Sequence, residues 1–450
     1  MSETVKPIHS VYLDDEKCVG CINCLKVCQT EAIRVHEGKS RILPEYCIDC
    51  GECIRTCSHH ARGARRDSIT ELQNYKYTVA LPAPSLYAQF NNLYDINIVL
   101  QGLRKLGFDL VFEVSGAAEL VSEKSRVYVA EHEEDWPLIS TACPTVLRLI
   151  RTRFPNLIPN LLPLKAPVEI AGEIARQVAV RQSGLRPEEI GIFFISPCPS
   201  KVTAVYSPIS VDHSEIDRVL SINDIYPLLL SAMKSVDADA EDLTISGRVG
   251  VGWGIIGGEA AGLFEEEILS ADGLENVIQI LEDLEDEKFQ QTLKFIELNA
   301  CPGGCVGGLF TVENPFLATS KLKRLNKYLP VSVSREEEFQ AEVNFFIENE
   351  IEYVPVYRLG NTFQESMLNM QRSERLLAKL PLFDCGACGA PTCKTLAEDI
   401  VRGKATLDDC IYHLRDSYKQ LNLLNSQLMK GSNYYESKRT SEESEPDGSK

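Results

Sequence analysis

The chain has 450 residues, is 44% hydrophobic and 25% charged, and carries a formal net charge of −19. That composition suits a globular protein of roughly two to four domains, and the acidic excess argues against sequence-independent nucleic-acid binding, which needs a basic face. No apolar run approaches the ~18 residues of a spanning helix, and MSETVKPIHS has no apolar leader core, so neither a membrane segment nor a secretory leader is predicted. The expected location is the cytoplasm, where thiols stay reduced, so the sixteen cysteines read as metal or redox ligands rather than a disulfide framework.

Half of those cysteines fall within the first 57 residues. Cys18-x2-Cys21-x2-Cys24-x3-Cys28 repeats 29 residues later as Cys47-x2-Cys50-x2-Cys53-x3-Cys57. The spacing resembles the two-cluster bacterial ferredoxin run, in which three cysteines of one set and the last of the other hold each [4Fe–4S] cube. The resemblance implies that Cys18, Cys21, Cys24 and Cys57 hold one cluster, and Cys47, Cys50, Cys53 and Cys28 the other. Zinc knuckles use separated pairs, not four thiols in eleven residues twice over. The proline that usually follows each fourth cysteine is replaced by Gln29 and Ser58, which touches turn geometry rather than ligation. Residues 1–70 balance ten Lys/Arg against ten Asp/Glu, so the whole negative charge lies downstream.

From about residue 75, apolar and β-branched runs alternate with amphipathic stretches. Residues 77–81, 109–114, 191–196, 249–253 and 294–298 are predicted as buried strands, and 143–153, 168–182, 223–235 and 273–296 as amphipathic segments between them. Such alternation argues for α/β units with parallel sheets, whose functional groups collect on loops leaving the C-terminal strand ends. Cys143, Cys198 and Cys301 each follow an apolar run, and Cys305 sits four residues beyond the last. Small core cysteines are the bland alternative. Pro144, Pro199 and Pro302, with the diglycine between the last pair, shape loops rather than cores and favour ligation.

ThrAlaCysPro (141–144), SerProCysProSerLys (196–201) and GluLeuAsnAlaCysProGlyGlyCysValGlyGly (297–308) resemble the three signature loops of the [FeFe]-hydrogenase catalytic domain. They stand in the family's order behind its usual ferredoxin module, and the resemblance covers residues 10–320. It implies that Cys143, Cys198, Cys301 and Cys305 hold the cubane half of the H-cluster. Cys305 would also bridge to a di-iron unit carrying CO, cyanide and a dithiolate amine. Lys201 falls where the family's lysine donates to a cyanide; Ala83, Pro84 and Ser85 fall on the loop lining the same pocket, with Trp253 as packing.

Three departures touch proton delivery or the groups around the cluster, while every metal ligand is retained. Ala142 stands where fast relatives carry a proton-passing cysteine. Ala204 replaces the glutamate that continues that relay, and Asn299 replaces a methionine packed on the bridging carbonyl. Methyl groups cannot relay protons, so the resemblance points to the sensory, slow-turnover branches. Glu259 and Glu297, on loops expected to face the cluster, are candidates for another proton route. The bland alternative makes Glu297 a structural hydrogen-bond partner and Glu259 a helix cap.

Cys385-x2-Cys388-x4-Cys393-x16-Cys410 is a third signature. It resembles the small four-cysteine [4Fe–4S] domain of electron-transfer and corrinoid proteins, with zinc as the alternative, and residues 395–403 are predicted as its helix. Beyond it Leu414, Tyr418, Leu421, Leu424 and Leu428 recur at helical spacing, a stripe that could dock on the core or pair with a partner or second copy. The polar tail cannot pack.

The expected architecture is an α+β ferredoxin module (1–72), an α/β hydrogenase catalytic domain with parallel sheets (73–372), a small helical iron–sulfur domain with its helix (373–430) and a disordered tail (431–450). The expected cofactors are four [4Fe–4S] clusters (two ferredoxin-type, one H-cluster cubane, one C-terminal) and the di-iron subcluster. The resemblance implies slow 2H⁺ + 2e⁻ ⇌ H2 chemistry, with H2 and protons, a ferredoxin-like electron carrier and a separate signalling protein as partners, and neither nucleic acid nor membrane. The alternatives are a non-catalytic hydrogenase-like assembly or electron-carrier protein that lacks the di-iron unit. Electron direction cannot be read from such motifs, because cluster potentials span roughly −700 to +450 mV with their surroundings.

Overall fold

The computed structural model describes residues 9–237, 239–288 and 293–442, with side chains through Met429. The chain divides into two compact units: Met1–Cys18 with Val27–Ala32 and Ile42–Tyr357, and Val19–Lys26 with Ile33–Arg41 and Arg358–Lys450. This partition departs from the expected boundaries at 72 and 372, because the ferredoxin segment contributes to both units.

In the first unit β1 (Val11–Leu13) pairs antiparallel with β4 (Arg62–Ala64), Val11 opposite Ala64. The hairpin strands β2 (Ile33–His36) and β3 (Lys39–Ile42) form a separate two-stranded sheet that falls, up to Arg41, in the second unit. The larger framework begins with β5 (Tyr77–Pro82), β6 (Leu110–Val111) and β7 (Leu138–Ile139). It continues through β8 (Ile190–Ser196), β9 (Arg218–Ser221), β10 (Ile268–Asp272) and β11 (Phe295–Asn299). These strands make two all-parallel sheets, ordered β6-β5-β8-β9 and β10-β11-β7.

The period-two alternation of β5 and β8 explains why helices cover both faces. Val79, Leu81, Ile192 and Phe194 meet Ala117, Leu120 and Val121 of helix Val114–Glu131 and Ile170, Ile174 and Ala175 of helix Pro167–Ser183. Ala80, Phe193 and Ile195 face the other way, against Val99, Leu100 and Leu103 of helix Asn97–Lys105 and Ile225 and Leu229 of helix Ile222–Met233. Every residue of β8 is buried, as a central parallel strand requires. In the smaller sheet Ile139, Ile296 and Leu298 pack on helices Pro144–Arg153 and Leu274–Glu285, while Leu138 and Phe295 join the core shared with the larger sheet.

Several expected elements differ. Residues 249–253, predicted as a strand, form helix Arg248–Gly252. Its amides at Gly247 and Gly250 donate to the buried Glu119 carboxylate, and a Cβ at Gly250 would lie 1.9 Å from the Ser115 carbonyl oxygen, so close packing overrides the β-branched run. Only Leu110–Val111 of 109–114 pairs as a strand, because a long helix starts at Val114. Of 273–296, Leu274–Glu285 is helical and β11 begins at Phe295.

The second unit packs helix Phe363–Leu377 beside helix Cys393–Val401, around a small core of Leu380, Ala390, Cys393, Leu396, Ala397 and Cys410. Residues 33–41 belong here: Val35 donates its amide to the Gly389 carbonyl at 2.9 Å, and buried Arg34 grips Asp399 at 2.5 and 3.3 Å. A helix then runs from Ile411 through Glu442, so the tail expected to be disordered from 431 is helical to that point; residues 443–450 lie outside the described residues. Leu414, Tyr418, Leu421, Leu424 and Leu428 are all exposed. Among the described residues no helix is long and apolar enough to cross a membrane.

Candidate functional site

Four loops at C-terminal strand ends converge in the first unit. Ala83–Ser85 follows β5, Ser140–Cys143 follows β7, Cys198–Lys201 follows β8 and Cys301–Cys305 follows β11. Cys143 and Cys198 are the N-cap residues of helices Pro144–Arg153 and Pro199–Tyr206, each with proline at the first helical position. Cys-Pro is thus a helix start, and it puts both cysteines at the N-terminal ends of helices. The Cys301–Cys305 loop turns through Gly303 (φ +79°) and Gly304 (φ +85°), and a Cβ on Gly304 would lie 2.5 Å from the Ile256 nitrogen.

The thiols of Cys143, Cys198, Cys301 and Cys305 are one another's electrostatic neighbours. Burial, and then neighbouring thiolates, push Cys301 well above the usual thiol range; burial above all pushes Cys305 up to about 12, with Lys201 pulling it back. Four thiolates packed together and half-buried are costly without a compensating cation, so this donor set fits a thiolate-ligated iron–sulfur cube. Cys28, Cys47, Cys50 and Cys53 form a comparable set: Cys50 feels Cys28 and Cys53, and Cys47 feels Cys50 and Cys53. That set packs directly on the first. Cys50 and Cys143 border the same apolar core, Arg55 donates to the Gly307 carbonyl, and the Ser10 hydroxyl donates to the Pro199 carbonyl at 2.8 Å.

Beside Cys305 lies a cavity of about 60 Å³, lined by Ala83, Pro84, Ser85, Ala142, Phe194, Lys201, Trp253, Glu259, Glu297 and Asn299 among others. The Ser85 hydroxyl is buried there without a hydrogen-bond partner, and the Lys201 ammonium reaches the Ala142 carbonyl at 3.3 Å. An orphan hydroxyl and an ammonium at one cavity fit an acceptor-rich anionic group, as the implied di-iron unit would present. Trp253 donates to the Ser122 hydroxyl at 2.9 Å, so its indole packs the wall.

Two carboxyls complete the wall. Glu297 accepts from the amides of Gly257 (3.0 Å) and Ala260 (2.9 Å) and from the Asn299 side-chain amide (3.0 Å). Glu259 accepts from the Ser140 hydroxyl at 2.7 Å, and Ser140 in turn accepts from the Ala142 amide at 3.2 Å. Burial raises both above the usual carboxyl range, and the Glu297 charge raises Glu259 further. Asn299, where a methionine was expected by family pattern, thus ties down Glu297.

Of the other predicted positions, Ala204 faces not this cavity but a neighbouring one that also contains Lys201 and Glu169. Glu169 escaped sequence reasoning; its only signal was a carboxyl on the apolar face of 168–182. Cys18, Cys21, Cys24 and Cys57 are divided between the two units, with Cys18 and Cys24 buried and the other pair half-buried. In the second unit Cys388 feels Cys385 and Cys410, and Cys393 and Cys410 share the small core.

A family model described as "Iron only hydrogenase large subunit, C-terminal domain" matches residues 76–266 and 259–309. A 4Fe-4S dicluster domain matches 10–58, and a putative Fe-S cluster domain matches 380–412. The chain is 24% identical over 285 residues to Iron hydrogenase 1 of Clostridium pasteurianum, covering 52% of this chain and 50% of that protein. It is 23% identical over 353 residues to NADP-reducing hydrogenase subunit HndD of Solidesulfovibrio fructosivorans, covering 68% and 57%. It therefore spans only about half the length of these two relatives. A solved [FeFe]-hydrogenase from Chlamydomonas reinhardtii aligns at 15% identity with a TM-score of 0.45, covering 62% of this chain and 98% of that one.

Proposed function

The chain belongs to the [FeFe]-hydrogenase family, and from that premise we propose that it is a slow, sensory-type hydrogenase interconverting two protons and two electrons with H2. The observation that supports this reading is one cavity joining Cys305 to an orphan Ser85 hydroxyl, the Lys201 ammonium and a pair of raised carboxyls. Cys143, Cys198, Cys301 and Cys305 would hold the cubane, with Cys305 bridging onward. When bound, the H-cluster supplies the electron transfer and the making or breaking of the H–H bond. Ser85 and Lys201 would donate to its anionic ligands, while Pro84, Phe194 and Trp253 exclude water.

Proton handling falls to Glu259 and Glu297. Two carboxyls buried in one pocket share a proton rather than both ionising. Glu297 has three donors and Glu259 one, so the shared proton resides on Glu259. From there it faces the cavity beside Ala142, where the thiol relay of fast relatives is missing. Turnover is slow because the methyl groups of Ala142 and Ala204 carry no proton. Cys28, Cys47, Cys50 and Cys53 would hold the cube that passes electrons inward, fed by the other cubes and a reduced ferredoxin-like carrier in the cytoplasm. The hydrogen signal would pass to a separate protein.

Maturing the iron–sulfur-loaded protein with a di-iron dithiolate complex should give infrared bands of iron-bound CO and cyanide and measurable hydrogen evolution from a reduced viologen. A protein that takes up its cubes yet shows no such bands is instead the non-catalytic carrier or assembly relative. The orphan Ser85 hydroxyl beside the Lys201 ammonium supports the first reading, because the anionic ligands of a di-iron unit would partner both.

A further inference from the structure

The cluster cavity is deep in the fold, and both of its carboxyls are buried. A second cavity of about 40 Å³ adjoins it, and the two share Val168, Phe194 and Lys201 in their walls. Its polar lining includes Thr141, Arg148, Glu169 and Ser210, and Ala204 also faces it. At about 10–15 Å³ per water it holds roughly three. A buried water needs polar partners, and one waits there: Arg148 is only 7% exposed, and its Nε is buried without a hydrogen-bond partner. Glu169, 8% exposed, contributes a carboxylate to the same space. On its far side Glu169 accepts a hydrogen bond from the Ser214 hydroxyl at 2.8 Å. Ser214 is half-buried and lies next to the exposed Asp212 and His213.

We propose that Glu169 is the proton uptake station of this protein, linking solvent at Ser214 to the water-sized cavity that adjoins the cluster pocket at Lys201. The proposal deepens the hydrogenase reading and rests on it. Ser214 accepts a proton from solvent as its own hydroxyl proton passes to the Glu169 carboxylate. The resulting acid releases that proton to the cavity water beside Lys201 and returns to carboxylate, so no electron or co-reactant is consumed. Hydrogen uptake runs the same steps in reverse. The location also explains a departure in the second cysteine loop: Ala204 has lost a carboxyl, and Glu169 places one in the cavity that Ala204 faces. The groups acting on Glu169 are the Ser214 hydroxyl, Lys201, Glu173 and Lys165, with Arg148 across the cavity. Burial outweighs the lowering by Ser214 and Lys201 and pushes the carboxyl up to about 7, where a station can both load and release.

The test compares wild type with Glu169→Gln, which keeps an acceptor for Ser214, and Glu169→Asp, which keeps a titratable group. Infrared difference spectra of the iron–sulfur-loaded protein across neutral pH should show a protonated-carboxyl band that shifts in D2O and is absent from Glu169→Gln. In the matured protein Glu169→Gln should evolve hydrogen about tenfold or more slowly, with unchanged CO and cyanide bands, and Glu169→Asp should recover part of the rate at a shifted pH optimum. Wild-type rates in Glu169→Gln with intact bands overturn the proposal. If no CO or cyanide bands form at all, the hydrogenase reading fails, and the carboxyl band still decides: a group that titrates near neutrality and exchanges in D2O supports the station, and one that stays ionised overturns it.

Discussion

Glu259→Gln separates proton handling from folding in a single substitution. Glutamine copies the shape of the protonated carboxyl and keeps an oxygen for the Ser140 hydroxyl, 2.7 Å away in the wild type. Burial, and then the Glu297 charge, raise the Glu259 carboxyl above its unfolded value. A carboxyl raised on folding leaves stability intact below its unfolded pKa and costs stability as pH rises through the folded value, because the unfolded chain ionises first. A tenfold difference in proton affinity is worth about 1.4 kcal/mol, so a carboxyl that binds its proton roughly a hundredfold more tightly when folded costs about 3 kcal/mol on the alkaline side. Glutamine escapes that cost. Urea unfolding should therefore show Glu259→Gln equal to wild type near about pH 4 and more stable by about 2–3 kcal/mol near about pH 8. Hydrogen evolution by the matured variant should fall about 100-fold, the lower range for losing a positioned proton donor, with CO and cyanide bands retained. Unchanged evolution would remove Glu259 from the proton path, and a stability gain independent of pH would refute the raised carboxyl.

Ser85→Ala should stabilise the protein before maturation by about 1 kcal/mol, since an unpartnered buried hydroxyl is costly, and should shift a cyanide band after it; calorimetry and infrared spectra check the two. Gly304→Ala forces a Cβ into the Ile256 backbone at a positive φ and should lower bound iron by one cube per chain, read by iron analysis. Arg34→Met leaves Asp399 buried without its guanidinium and should destabilise the second unit by about 3–5 kcal/mol. Adding Asp399→Leu should return most of it, as a double-mutant cycle of melting temperatures would show.

The cysteine sets were legible as candidate ligands because ligation would constrain spacing directly: three thiols must leave one tight turn. The strands β5, β8 and β11 were legible because a parallel strand buried on both faces is an unbroken apolar run. The helix Arg248–Gly252 was not, since its conformation depends on Glu119 binding its first amides from 128 and 131 residues away in sequence. The split of the ferredoxin segment was hidden for a similar reason. Arg34 and Val35 look like ordinary strand residues, and only their partners Asp399 and Gly389 assign them to the second unit. Among site residues, Glu297 could be singled out beside the Cys301 motif and Glu259 in the glycine-rich run before it, although Glu297 lies on β11 and Glu259 in the short helix Gly258–Ala261 rather than on the loops expected. Glu169, by contrast, sits within an ordinary amphipathic helix with no motif around it.

Electron supply and proton supply come apart in this chain, and that separation bears on what the site is suited to do. Every cysteine that would serve as a ligand is present, and the set around Cys50 packs against the loops of Cys143, Cys198 and Cys305. On the proposed route protons would instead meet two methyl groups, and the carboxyls that would take their place are raised by burial to hold protons near neutrality. A thiol–carboxylate relay matched to rapid exchange delivers protons as fast as electrons arrive. On the proposed function, carboxyls that keep their protons would make delivery the slower partner, and the site would dwell in whichever redox state its electrons had set. Long dwell times waste catalytic capacity, yet on the proposed sensory reading they are what a separate partner would need to read a redox state.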